Sequence, residues 1–432
     1  MSILANRMKG VAPSSQVTNL LSANFNVPSR GRKTVTGNAV QLLTSSGTVE
    51  GFGFGVHSGS PLVWLRDPAD SNSVVARVAS DFNSFTWQRK LSTNNSPADY
   101  TNTLGVDMSG NMLTFNVDGC VSINFSDGTN RSVKTLPSPF YSFNAIKCLT
   151  TSNEAILVGW GVSGSGTGIT QRFNTSTTSV TWGHQISSGE GPPFNQNMGI
   201  AESADGTAIS YGVRVQGTTL DSITIRRVNF SNGGQIWHYK YSETANNSVQ
   251  PTSMVESTSN LLVGVRLRTL MALNLSTGDI AWQKAYSGSG SEWHDLHWDS
   301  GNGYYYGVLR GTGVLVALNT SGTTQFTREF TSTSGSFVLR GVRTDSTWMY
   351  VFGVMGSSAY VIRVSKDGTG SSSECTFANG VTISYSDITL TESTPSFTKQ
   401  STNVGVNSNS SGSSTTLTNN ASTVFTLTSQ GI

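Results

Sequence analysis

One hairpin pattern recurs along this chain and constrains its fold more than any other feature. In the clearest copy, residues 270–286 (LMALNLSTGDIAWQKAY), an apolar stretch precedes the polar turn 276–279, and a second stretch follows with a Trp in its middle. Apolar, β-prone runs on both sides of turn residues are typical of a β-hairpin. Further copies end at Leu91, Leu136, Ile186, Tyr241 and Phe330, and an opening half covers 361–370.

The copies are evenly spaced. Aligned on the turn, they have anchor residues at Trp87, Ser132, Trp182, Trp237, Trp282 and Phe326, with a seventh near Ser372. The spacing of roughly 45 to 55 residues indicates stacked or radially repeated units. Two more short strands precede each hairpin, as in 293–299 and 304–308, so each unit holds about four strands. Four strands per unit and seven units predict a seven-bladed β-propeller.

Composition agrees with an all-β fold. The chain has 432 residues with 46 Gly, and only 12% of the residues are charged. No segment beyond the first dozen residues has the apolar spacing of a long helix. We therefore predict an N-terminal basic arm at 1–34, a propeller of four-stranded blades at 35–392 and a Ser/Thr/Asn-rich tail at 393–432. Residues 36–43 are interpreted as the innermost strand of the first blade.

Four of the anchors are tryptophans, Trp87, Trp182, Trp237 and Trp282. A series of tryptophans is compatible with stacking on sugars. Each of these tryptophans lies at the same place in its repeat, on a strand after a tight turn. This regularity favours a side chain that fills the space between adjacent blades. We predict equivalent buried positions for the four side chains.

The densest polar and aromatic stretch is 292–299 (EWHDLHWD). Two histidines three residues apart, His294 and His297, with nearby carboxylates suggest a metal site. On a strand, however, alternation places His294 on one side with Leu296 and Trp298, and His297 on the other with Trp293 and Asp295. The two imidazoles then face apart, so we predict a packed blade strand and no metal.

No catalytic, cofactor-binding or metal-binding residues are predicted, and the chain is expected not to be an enzyme. Asp107, Glu202, Glu256 and Asp299 recur at one repeat position, where a carboxylate would cap a turn. The alternative is that these carboxylates form a ring at one end of the channel and hold a cation. The sequences S-x-D-G-T at 203–207 and 365–369 are interpreted as hairpin turns. The Gly-rich runs 51–55 and 161–168 precede no helix, which disfavours a phosphate site.

The three cysteines, Cys120, Cys148 and Cys375, have no metal-type spacing and imply no disulfide framework. Cys148 is expected to be a core residue. Nothing resembles a signal peptide or a membrane span, although the composition is that of a surface-exposed protein. A virus particle released by lysis satisfies both observations, so we expect synthesis in a host cytoplasm and a place in a virion.

The two ends of the chain are expected to contact other subunits. The arm carries Arg7, Lys9, Arg30, Arg32 and Lys33 and no acidic residue, so it could bind nucleic acid or an acidic protein surface. Because no basic cluster is longer than 30–33, we expect an acidic protein surface. Isolated apolar residues in a polar context are typical of segments that fold on binding. They are Ile3, Leu4, Met8, Leu20, Leu21 and Phe25 in the arm, and Val404, Leu417, Val424, Phe425 and Leu427 in the tail. A homo-oligomer is expected.

The repeats resemble known propellers. The hairpin at 272–284 is similar to the repeat of pyrroloquinoline-quinone-type β-propellers, and RVNFSNGGQIWHYKYS at 227–242 resembles repeats in large surface and phage proteins. The ending ITLTESTPSFT at 388–398 is similar to the endings of propeller proteins from marine tailed phages. The resemblance covers about 45–390 and implies architecture rather than activity, because no quinone site is visible.

The expected function is a structural protein of a phage virion. The propeller would be a rigid assembly module, in the tail, with other tail proteins as partners. The first alternative is a module of a tail fibre that binds a glycan or protein receptor on the host surface. The second alternative is a quinone- or glycan-acting enzyme.

Overall fold

A computed structural model shows the architecture of the chain. It describes residues 39–43, 50–66, 73–82, 85–92, 104–116, 119–135, 140–149, 152–161, 168–174, 180–186, 199–215, 221–243, 249–288, 290, 292–366, 375–376, 381–401, 406–407 and 426–429. These residues form β-strands and the turns that join them, so the all-β prediction is confirmed. Within the same residues, no helix has the length and hydropathy needed to span a membrane.

Seven antiparallel sheets form the blades of a β-propeller, as the sequence predicts. The first blade is β2 (Glu50–His57), β3 (Ser60–Arg66), β4 (Ser73–Val78) and β5 (Phe85–Ser92). The second is β6 (Leu104–Val106), β7 (Met112–Asn116), β8 (Gly119–Ile123) and β9 (Asn130–Thr135). The third is β10 (Phe140–Cys148), β11 (Glu154–Gly161), β12 (Gly168–Asn174) and β13 (Val180–Ile186).

The remaining blades follow the same meander. The fourth is β14 (Gly199–Glu202), β15 (Ala208–Val215), β16 (Ser222–Asn229) and β17 (Gln235–Glu243). The fifth is β18 (Pro251–Glu256), β19 (Asn260–Val265), β20 (Thr269–Asn274) and β21 (Ile280–Tyr286). The sixth is β22 (Trp293–Asp299), β23 (Tyr304–Leu309), β24 (Val314–Asn319) and β25 (Thr324–Ser332), and the seventh contains β26 (Val338–Thr344), β27 (Trp348–Met355) and β28 (Ser358–Ser365).

The N-terminal strand closes the ring. Strand β1 (Ala39–Leu43) pairs antiparallel with β28 and is therefore the outermost strand of the seventh blade. The prediction that 36–43 begins the first blade is wrong, because β2 takes the innermost place there. The predicted anchor at Ser372 lies outside the described residues, and β1 supplies the fourth strand expected near it. Closure thus joins the two ends of the propeller by backbone hydrogen bonds.

The C-terminal region forms a belt around the ring. After β29 (Cys375–Thr376), five strands each pair antiparallel with the outermost strand of a blade. They are β30 (Thr382–Asp387) on the sixth blade, β31 (Glu392–Ser393) on the fifth, β32 (Phe397–Ser401) on the fourth, β33 (Val406–Asn407) on the third and β34 (Thr426–Ser429) on the first. We call β30–β34 the C-terminal belt. It runs round the propeller in the direction opposite to the blades.

The belt corrects one expectation about the tail. Its described strands pair with the chain's own blades, because the outermost strand of a blade offers unpaired N–H and C=O groups. Phe397 is buried in the core between the fourth and fifth blades. The Lys399 ammonium lies 2.7 Å from Asp279 Oδ1 and 3.6 Å from the ring centre of Tyr239, which joins the same two blades. The apolar residues named in the arm, and Val404, Leu417, Val424 and Phe425 in the tail, lie outside the described residues.

The four anchor tryptophans occupy equivalent positions, as predicted, although only two of the four are fully buried. Each Nε1–H donates to a backbone carbonyl in the hairpin turn of the next blade, at 2.8 to 2.9 Å. The pairs are Trp87 with Phe125, Trp182 with Phe230, Trp237 with Leu275 and Trp282 with Thr320. Trp87 and Trp237 are buried, whereas Trp182 and Trp282 are half-buried. The repeat therefore encodes a bond between neighbouring blades.

Candidate functional site in the central channel

The innermost strands of the seven blades surround a channel. Each contacts the innermost strands of the two neighbouring blades, from β2 through β6, β10, β14, β18 and β22 to β26 and back to β2. Their approach is close enough to require small residues. A methyl group at Gly105 would lie 2.4 Å from Cys148 Sγ, and one at Gly341 would lie 2.9 Å from Phe54 Cβ.

A cavity of about 420 Å³ lies in this channel, within the usual range of ligand pockets. We call it the channel cavity. All seven innermost strands contribute to it. Its polar lining includes His57, Asp107, Lys147, Ser253, Asp295, His297, Arg343 and Thr344, and its apolar lining includes Phe54, Val56, Leu104, Met108, Ile200, Met254 and Leu296. A small number of polar groups among apolar ones is the usual make-up of a binding pocket.

On one side of the cavity, the sixth and seventh blades are joined by an ion pair. Arg343 Nη1 donates to Asp295 Oδ2, which also accepts the Val342 N–H at 3.1 Å. The Arg343 charge is thereby balanced by a carboxylate that has a second, backbone donor. This pair fixes the wall and is electrically neutral.

His297 lies beside that pair. Its Nε2 accepts the backbone N–H of Thr344 at 3.2 Å and lies 2.8 Å from Thr344 Oγ1. Since Nε2 is an acceptor, the neutral ring carries its proton on Nδ1. Burial lowers the pKa of His297 well below its usual value, and the charges of Arg343 and Lys147 lower it further. The imidazole is therefore neutral at pH 7, with an N–H donor on Nδ1.

Lys147 projects from the opposite wall. In a ring of seven, the third blade faces the boundary between the sixth and seventh, so the ammonium lies across from Asp295 and Arg343. Burial lowers the pKa of Lys147, Arg343 lowers it further, and the carboxylates of Glu202 and Asp295 oppose this change. The side chain is partly exposed. Among the residues that the structure describes, no carboxylate forms an ion pair with it.

The recurring carboxylates do not form one kind of site. Asp107 Oδ1 accepts the N–H groups of Ser109 and Asn111, both at 2.9 Å, and Asp299 Oδ1 accepts that of Gly301 at 2.9 Å. Turn capping is confirmed for these two. It is wrong for Glu256, which pairs with Arg227 of the preceding blade. Glu202 ends β14, where its charge raises the pKa of Lys147. Glu256 departs from the pattern because Arg227 offers a bidentate partner.

The alternation predicted for 292–299 holds only in part. Asp295 and His297 line the channel cavity, and Leu296 reaches it as well. Trp298 packs with Leu296 in an apolar cluster of the fifth and sixth blades. Trp293 packs in that cluster too and not with Asp295, because a bulge interrupts the register between them. His294 is buried, and its Nδ1 has no hydrogen-bond partner among the described side chains.

The other sequence candidates are in turns or in the core. Asp205 Oδ1 accepts hydrogen bonds from Ser203 Oγ (2.6 Å) and Thr207 N (3.0 Å), so 203–207 is a hairpin turn as predicted. Residues 51–55 belong to β2. Cys148 is buried, as expected. The part of the chain that the structure describes leaves out two of the cysteine side chains, Cys120 and Cys375. It also leaves out residues 162–167 and 367–369 of the candidate runs. Where side chains are described, no group of three His, Cys, Asp or Glu is placed to hold a metal ion.

Sequence reasoning missed Lys147. It lies in the run 145–149 (AIKCL), whose apolar character drew attention to Cys148 as a core residue. The signal in the sequence is a single lysine within the otherwise apolar run 145–149. Its position opposite Arg343 depends on the number of blades, which the local sequence does not carry.

Comparisons with known proteins support the fold. No protein-family model matches the chain, and no curated protein matches it in sequence. Among solved structures, it is similar to the Dos1 propeller, with 9% identity and a TM-score of 0.50 over 76% of this chain and 95% of that one. BamB from Moraxella catarrhalis also matches, with 12% identity and a TM-score of 0.43 over 80% of this chain and 99% of that one. The architecture is that of a repeat β-propeller.

Proposed function

We propose that this chain is a non-enzymatic structural protein of a tailed-phage virion, a component of the tail in which the propeller is a rigid assembly module. The observation that carries the proposal is the way in which the ring is fastened. Strand β1 closes the seventh blade, and the C-terminal belt crosses five of the seven blades. Bracing of this kind keeps the ring closed and rigid, as an assembly module within a particle would require.

The belt braces the ring through side chains as well as backbone. Glu392 on β31 pairs with Lys284 of the fifth blade at 2.8 Å and accepts the hydroxyl of Thr324 of the sixth at 2.5 Å. Together, Glu392 and Lys399 connect the fourth, fifth and sixth blades from the outside of the ring. The resemblance of 388–398 to the endings of tailed-phage propeller proteins supports the same role.

An exposed apolar side chain supplies a candidate contact. Leu267 is 42% exposed in the turn between β19 and β20, where both Leu267 and Arg268 have a positive φ, 63° and 60°. This backbone conformation is unfavourable for such residues. Arg268 holds the turn by donating to the carbonyl of Tyr286 at 2.7 Å. A strained turn that displays a leucine favours a surface that another protein covers.

The test is the position of the chain in particles. Virions are purified, separated into heads and tails, and analysed by mass spectrometry, and tails are then labelled with an antibody for electron microscopy. The chain should be enriched in tails, and Leu267→Asp should reduce its incorporation while leaving its melting temperature unchanged. Its recovery only as protein outside particles would contradict the proposal.

Binding to a host receptor is the second candidate, favoured by the same exposed Leu267. Purified protein is applied to immobilised host envelope polysaccharide and to host cells. Saturable binding together with a location at the tail tip would assign the receptor role, and degradation of the polysaccharide would show an enzyme instead. Neither result is expected for a purely structural component.

A further inference from the structure

We propose that the channel cavity is a binding site for a small organic monocarboxylate with an aliphatic body, whose carboxylate pairs with Lys147. The site is separate from the outer surface and belt that support the proposed function, and a tail protein or any other propeller could carry it. The inference rests on three features of the cavity: one ammonium, one neutral N–H donor and an apolar wall.

A cation of the cavity lining that has no ion-pair partner favours an anionic ligand. Arg343 is balanced by Asp295, and the Asp107 carboxylate is engaged by the N–H groups of its own turn. Lys147 is the remaining cation of the lining, and no ion pair is formed by it within the described part of the chain. A single negative charge would compensate it.

The hydrogen-bonding groups suit a carboxylate. Because Thr344 N–H donates to His297 Nε2, the ring presents Nδ1–H as a donor. Lys147 offers up to three N–H donors from the opposite wall. A carboxylate has two oxygens, so it can accept hydrogen bonds from more than one donor of the lining. Charge-assisted bonds of this kind are about twice as strong as neutral ones.

The rest of the lining suits an alkyl chain. Leu104, Ile200, Met254 and Leu296 come from four different blades and contribute apolar surface to the same cavity. Methionine side chains adapt to irregular ligand shapes. Burial of each CH₂ group contributes about 0.8 kcal/mol to binding, so affinity should rise with chain length until the cavity is filled.

The probe is hexanoate, titrated into the full-length protein by isothermal calorimetry. We expect one saturable site per chain and no binding of the neutral analogue hexanamide. Lys147→Met should weaken hexanoate binding by roughly 10- to 100-fold, the effect of losing a hydrogen bond to a charged group. Lys399→Met is the matched control, because it removes one positive charge from the belt outside the cavity, and its affinity should equal that of the wild type.

A second measurement does not depend on a variant. In wild-type protein with ¹³C-methyl methionine, hexanoate should shift the signals of Met108 and Met254, which line the cavity, and not that of Met349, which lies in the core between the sixth and seventh blades. The proposal is overturned by the absence of saturable hexanoate binding, by equal affinity of a folded Lys147→Met variant, or by shifts that spare Met108 and Met254. If Lys147→Met does not fold, the methyl shifts decide. None of these outcomes alters the test of the virion proposal, which depends on location in particles.

Discussion

Gly322 of the sixth blade lies flat against the indole of Trp282 of the fifth. Its φ is +81°, and a methyl group on its Cα would lie 2.6 Å from Trp282 Cδ2. Gly128 has the same relationship with Trp87, at φ +67° and 2.6 Å. Together with the indole hydrogen bond, this contact packs the hairpin turn of each of these blades against the tryptophan of the preceding blade.

Gly322→Ala should therefore destabilise the protein by about 2–4 kcal/mol, from backbone strain plus overpacking. Gly303→Ala is the control, because Gly303 has a φ of +73° with nothing within 4 Å of the added methyl group. That variant should lose only about 1 kcal/mol. Urea denaturation measures both, and equal losses would mean that the Trp282 contact adds nothing.

Trp237→Ala should cost about 3–5 kcal/mol, the usual loss for a large buried aromatic. Trp237→Phe keeps most of the ring and leaves the Leu275 carbonyl without its indole donor, so its loss should be smaller, about 1–3 kcal/mol. The neighbouring Ile236 is 42% exposed, and Ile236→Ala should change stability by no more than about 0.5 kcal/mol. A Trp237→Ala loss as small as that of Ile236→Ala would refute the interblade role.

Phe397→Ala should release part of the C-terminal belt. Phe397 is 4% exposed, its N–H donates to Gln283 Oε1 at 3.0 Å, and Phe→Ala changes in a core cost about 3–5 kcal/mol. Trypsin should then cut at Lys399, two residues away, which β32 pairing protects in the wild type. Thr398→Ala, at an exposed position of the same strand, should leave Lys399 protected. Cleavage at Lys399 in the wild type at the same rate would show that the belt is not held.

Acid should destabilise the fold through its histidines. The chain has five, and burial lowers the pKa of each, to about 4 for His184 and His238. In the unfolded chain, histidine has a pKa near 6.5, so the unfolded state binds more protons between about pH 6.5 and pH 4. The free energy of unfolding should fall as pH decreases through this window. His238→Gln should make the fall shallower, and an unchanged melting temperature from pH 7 to pH 4 in the wild type would contradict this account.

Much of the propeller was predictable because its repeat is local. Trp87, Trp182, Trp237 and Trp282 each follow a turn on one chain segment, so their equivalence is visible in sequence. Seven blades follow from counting the turns. The carboxylates Asp107 and Asp299 cap turns within a few residues of themselves, which sequence spacing also carries.

Features that depend on distant pairing were not predictable. The sequence does not place β1 in its blade, because its apolar pattern fits an inner or an outer strand equally well. The belt strands are short and polar, as in 397–401 (FTKQS), and their partners are the edges of complete blades. The bulge between Trp293 and Asp295 breaks an alternation that the sequence shows as continuous. Lys147 faces Arg343 across the channel only because the ring closes.

The belt and the closing strand also dictate an order of folding events. Ala39 pairs with Ile362, and Leu427 pairs with Leu91, so residues near opposite ends of the chain must meet. Contacts of such large sequence separation form slowly, because the loop-closure entropy is lost before they contribute. Blades built from adjacent strands can assemble first, during synthesis. The ring can close only after residue 362 has been made, and the belt strands can pair with the blades only after the belt has been made. The native state should consequently be reached by a late, slow step, and once wrapped the ring should open slowly.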